Sequence, residues 1–118
     1  MKIECIVATG ALDSSGDKIL LSGVKFPESV PVLKDFSTHP KDYLGTAEVS
    51  CTSESVNAKL EIQGNVLDLT PAIGFRMIKS HMSMGIRVIE EVEIKYVGLS
   101  ASPNVDDRIK SIRQQLDK

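Results

Sequence analysis

Ala72-Ile73-Gly74-Phe75-Arg76-Met77-Ile78 is the stretch on which the reading of this chain turns. It is rich in β-branched and aromatic residues and predicts a strand. Upstream, Gly64 to Pro71 is too short for a helix of usual length with its turns, and Pro71 closes it. Downstream, Ser80 to Gly85 reads as a loop, and Ile86 to Leu99 as a second, longer strand. Val88, Val92, Ile94 and Val97 are its expected inward residues. Period two cannot place Ile94 and Val97 on one face, so the pattern predicts a bulge or bend within this strand.

The rest of the chain has the same character. Lys2 to Thr9 is a strand with Ile3, Cys5 and Val7 on one face. Asp13 to Asp17 is a turn of short polar residues around Gly16. Ile19-Leu20-Leu21 and Val30 to Phe36 are short strand candidates, punctuated by Pro27 and Pro31. Residues 38–42, with His39-Pro40, form a loop. Tyr43 to Val49 and Val56 to Ile62 alternate as half-buried strands do, and Gln63-Gly64-Asn65 is a turn. The tail changes period. Val105, Ile109, Ile112 and Leu116 recur at helical spacing, Asn104 suits an N-cap, and Asp106 and Asp107 suit the positive end of the helix dipole. The expected helix runs over about 104–117 and packs its apolar stripe on the sheet. The reading is a single domain over 1–118, mainly β (α+β).

Composition narrows the function classes. The 118 residues carry a formal net charge of -2, with 42% hydrophobic and 4% aromatic residues and no Trp. A nucleic-acid binder normally presents a basic face with stacking aromatics, so nucleic acid is not an expected partner. Mean hydropathy is -0.02, and no apolar run approaches a membrane span, so neither membrane nor signal peptide is expected. Cys5 and Cys51 lack metal-ligand spacing and read as reduced thiols. No nucleotide, redox or zinc motif is present, and neither cofactor nor metal is expected.

Four stretches, in order, resemble the phage prohead (capsid-maturation) serine proteases. The first is Asp13-Ser14-Ser15-Gly16-Asp17 with the following Ile19-Leu20-Leu21-Ser22-Gly23. The second is Val30-Pro31-Val32-Leu33, then His39-Pro40, then Leu44-Gly45-Thr46-Ala47. The third is Ala72-Ile73-Gly74-Phe75-Arg76. The fourth runs from Val88 to Ile94 and ends at Pro103-Asn104. The resemblance implies a compact β-barrel like that of the herpesvirus assemblin proteases, with a C-terminal helix.

It also implies a site, and the residues depart from it. A serine peptidase needs a nucleophile, a base, a group that orients the base, and oxyanion donors. His39 matches the family's general base. Ala72 stands where the family has its nucleophilic serine, and it has no hydroxyl. Tyr96-Val97-Gly98-Leu99 stands where the family often has an acid on the closing strand. Tyr96 takes that place, or Lys95 if the alignment slips by one, and neither is a carboxylate. The family's helix before the nucleophile strand is missing at Gly64 to Pro71. His39, Ala72 and Tyr96 are therefore degenerate positions, with no active catalytic residue expected.

Other candidates are weaker. Thr70 precedes Pro71. Ser80, His81 and Ser83 fall in one loop, but adjacent residues of an extended chain point apart. Glu90, Glu91 and Glu93 cluster beside Lys95, as a solvated strand face does. The expected function is a non-enzymatic virion or capsid-assembly protein on a degenerate prohead-protease fold. Its expected partners are the major capsid or other virion proteins, in a homo-oligomer or symmetric assembly. It would sit in the virion, and in host cytoplasm during assembly. The alternatives are an active prohead protease in serine-to-alanine form, and a small β binding domain unrelated to phage.

Overall fold

The computed structural model describes residues 1–11, 16–35, 37, 39–101 and 109–116. Eight strands follow one another: β1 (Lys2–Thr9), β2 (Asp17–Ile19), β3 (Val24–Lys25), β4 (Val30–Lys34), β5 (Tyr43–Cys51), β6 (Ser55–Ile62), β7 (Thr70–Ser83) and β8 (Ile86–Ser100). A short helix, α1 (Ile112–Leu116), ends the order. The protein is mainly β, a curled half-barrel sheet with, among the described residues, one short helix.

β8 is the spine. On one side it pairs antiparallel with β7 along nearly its whole length. On the other it pairs parallel with β2, β3 and β4 in turn. From β4 the sheet continues antiparallel through β5 and β6 to β1. β1 and β7, at the two ends of the curl, approach each other without pairing. Val7, Val32, Val56, Leu60, Ile62, Ile94, Val97 and Leu99 fill the interior and are almost wholly buried. Burying such side chains contributes about 1.5–3 kcal/mol each.

The bulge expected in the long strand is present. Gly74 pairs Tyr96 and Phe75 pairs Ile94, so Lys95 is the extra residue. Two further irregularities insert Ile78 on β7 and Glu90 on β8. They shift the inward register, so Ile89 is buried in place of the expected Val88. The expected loop from Ser80 to Gly85 is mostly strand. β7 runs to Ser83, and Met84 (φ 51°) and Gly85 (φ 80°) turn the hairpin. Positive φ at both central residues is the mark of a type I′ turn, whose twist matches the strands.

Two other expectations change. Leu20 and Leu21 do not continue β2, because Leu21–Gly23 is a 3-10 turn. The tail helix is shorter than 104–117: residues 109–111 are not helical, and α1 spans Ile112–Leu116. Asn104, Val105, Asp106 and Asp107 lie outside the described residues, as do Asp13, Phe36 and Pro103. The apolar stripe is also divided. Ile109 and Ile112 are buried, whereas Leu116 is 49% exposed.

Tertiary hydrogen bonds explain this division. Ile112 N–H donates to Leu69 O, and Arg113 N–H to Leu67 O, both at the irregular segment after β6. Arg113 also reaches Asp68 at 2.9 Å. The chain is thus anchored at the first turn of α1, where helix N–H groups have no internal partner. Ile112 enters the core there. No helix lies between β6 and β7; Gly64 (φ 96°) starts a turn instead.

Candidate functional site

Of the three positions that the resemblance singles out, Ala72 lies on β7 and Tyr96 on β8, while His39 lies in the loop after β4. β4 lies beside β8 with Val32 opposite Val97 and Leu33 opposite Gly98. β7 lies on the other side with Ala72 opposite Gly98 and Gly74 opposite Tyr96. Val32, Val97, Leu99 and Ile73 face the core. Their neighbours Leu33, Gly98, Tyr96, Gly74 and Ala72 therefore share the opposite face of the sheet.

Tyr96 and His39 come together on that face. With Pro31, Leu33, Pro40 and Tyr43 they line a shallow hollow of about 500 Å³. Ala72 does not line it. It is 4% exposed, two residues along the strand from Gly74. The bulge at Lys95 sets the cross-strand register: Tyr96, not Lys95, stands opposite Gly74. The Tyr96 ring lies over Gly74 so closely that an added Cβ would sit inside it.

His39 has a local structural job. It precedes a 3-10 turn at Pro40–Asp42, and its Nδ1 accepts from Lys41 N–H at 3.2 Å. Its own N–H donates to Ser37 Oγ at 3.2 Å, and its carbonyl accepts from Asp42 N–H at 2.9 Å. An Nδ1 that accepts carries no proton, so the neutral ring holds its proton on Nε2. A triad base needs the reverse: Nδ1–H donated to an orienting group and Nε2 open to accept. His39 thus caps the 3-10 turn on an exposed loop.

The remaining candidates resolve as surface pairs. His81 and Ser80 are neighbours on β7, and His81 Nδ1 lies 3.2 Å from Glu90. Lys79 is 3.9 Å from Glu90, Lys25 is 3.8 Å from Glu91, and Arg76 is 3.8 Å from Glu93. A hydrogen bond from Lys95, reinforced by its charge, holds the Glu93 carboxyl below its usual range. Each carboxylate therefore has a cation across the strand, as a solvated face requires. Among the described residues no cluster of His, Cys, Asp or Glu has the make-up of a metal site. Burial, reinforced by the charge of Glu4, pushes the Cys5 thiol up to about 12. Cys51, raised by partial burial, lies near the Leu21 and Thr52 carbonyls.

Two features were not foreseen from sequence. One is the hollow, whose walls come from β4, β8 and the His39 loop. The other is Gln115 on α1. Its side-chain amide accepts from Ile6 N–H at 2.8 Å and donates to Ile6 O at 3.2 Å. It stands in for a neighbouring strand at that point of β1. A lone glutamine in a helical tail carries no sequence signal of this kind.

Compared with protein-family models, curated proteins and solved structures, the chain finds no match.

Proposed function

We propose that this chain is a non-enzymatic virion or capsid-assembly protein of a phage, built on a degenerate prohead-protease fold. In this reading the curled half-barrel is a reduced form of the assemblin-type barrel. It binds the major capsid protein or other particle proteins, within the virion and in host cytoplasm during assembly. The observation that carries the non-enzymatic part is the state of His39. Its Nδ1 is engaged by a backbone N–H, and position 72 offers no hydroxyl for any base to activate. The ordered sequence resemblance supports the phage context. Scaffolds outlast their chemistry because function resides in the site and not in the fold.

The test is co-sedimentation of the purified protein with assembled phage capsids and with separated virion proteins. Saturable binding at a defined ratio to a capsid subunit is the expected result. Binding to no virion component would overturn the reading.

A further inference from the structure

We propose that the outer edge of β7, from Phe75 to Ser83, docks an acidic extended segment of a partner protein, which adds a strand to the sheet. This rests on the reading of the chain as an assembly protein and names its binding surface.

β7 pairs with β8 on one side only, and among the described residues no strand hydrogen-bonds along its other side. A long edge of unpaired N–H and C=O groups is a template for a further strand. The segment is not shielded. Phe75, Met77 and Ile78 are substantially exposed, and so is Met82 at 66%. Methionine is flexible and polarizable, which suits contact with an incoming chain.

Charge selects the occupant. Lys25 on β3, Glu93 on β8 and Arg76 on β7 stand in register across three adjacent strands. The sign alternates from strand to strand: basic, acidic, basic. Residues 75–83 carry Arg76, Lys79 and His81 and no acidic residue. The next strand in this series is therefore acidic, since opposite charges across strands stabilise and like charges destabilise. A second copy of this chain fits poorly. Antiparallel pairing of two β7 edges would set these basic residues against each other. The β1 edge is occupied at Ile6 by Gln115.

The test uses the full chain and a fluorescein-labelled peptide of alternating Glu and Val. Saturable polarization change is expected, with slowed amide exchange confined to residues 75–83. The double variant Arg76→Glu/Lys79→Glu, checked for unchanged thermal unfolding, should weaken binding roughly tenfold or more. A peptide N-methylated at alternate residues should not bind, since it cannot complete the strand ladder. The proposal is overturned by absence of saturable binding, by protection outside residues 75–83, or by equal binding of a Lys/Val peptide. Self-association through β7 that excludes the peptide also overturns it. If capsids bind wild type and the double variant equally, this surface is wrong while the assembly reading stands. If the peptide binds as described but no virion component does, the assembly reading fails and the surface stands.

Discussion

Tyr96 lies on Gly74, and the absence of a side chain at Gly74 is what admits the ring. The two residues face each other across β7 and β8, beside the Lys95 bulge. Gly74→Ala should therefore overpack the pair and destabilise the protein by about 1–3 kcal/mol. The loss should shrink when Tyr96 is also replaced by Ala. Urea unfolding of the two single variants and the double variant closes the cycle. Equal loss in both backgrounds would show that the ring is not what Gly74 accommodates.

Ala72 shares that face but is buried, and His39 is engaged by its own loop. Placing a hydroxyl at position 72 should not create a peptidase. Ala72→Ser is expected to leave the chain and a co-expressed capsid protein uncut. It should cost about 1 kcal/mol by burying a hydroxyl. Mass spectrometry of the co-expressed proteins reads the result, and specific cleavage would overturn the non-enzymatic reading.

Gln115 makes two hydrogen bonds to the backbone of Ile6. Gln115→Ala should lower stability by about 1–2 kcal/mol. The more specific readout is faster amide exchange at Ile6, with the β1–β6 pairing of its neighbours retained. Unchanged exchange at Ile6 would mean that the glutamine does not cover this edge.

Cys5 supplies a pH test. Burial raises its thiol from 9.0 to about 12, so the folded state holds the proton more tightly than the unfolded state. The associated stability is complete below about pH 9 and is lost as pH rises from there towards about 12. Cys5→Ala should be less stable than wild type at neutral pH by about 1–2 kcal/mol, through the cavity it leaves. That gap should narrow above pH 9. Urea midpoints of both proteins at neutral and alkaline pH decide it, and a constant gap would refute the buried thiol.

Much of the β architecture was legible because alternation reports burial directly. Ile3, Cys5 and Val7 gave β1 its boundaries, and the conflict between Ile94 and Val97 signalled the bulge. The hairpin tip was less legible. Met84 is 99% exposed and sits at positive φ, which a methionine seldom adopts, so nothing in Ser80 to Gly85 announced a two-residue turn. The tail misled for another reason. Its spacing is helical, but Ile112 and Arg113 bond to Leu69 and Leu67. Such contacts outweigh local propensity, which is worth only tenths of a kcal/mol per residue.

The sequence by itself determined that this chain folds as a mainly β protein and that position 72 has no nucleophile. Both follow from residue identity: the periodicity of apolar side chains, and the missing oxygen of an alanine. Only the tertiary structure decided where His39 and Tyr96 sit and what they contact. That the imidazole of His39 caps a turn follows from the hydrogen bond its Nδ1 accepts from Lys41 N–H. Whether a tyrosine stands at a given face depends on one bulged residue, Lys95, in the strand before it. That, among the described residues, no strand pairs the outer side of β7 is likewise a property of strand order, because partners distant in sequence are chosen by the curling of the sheet.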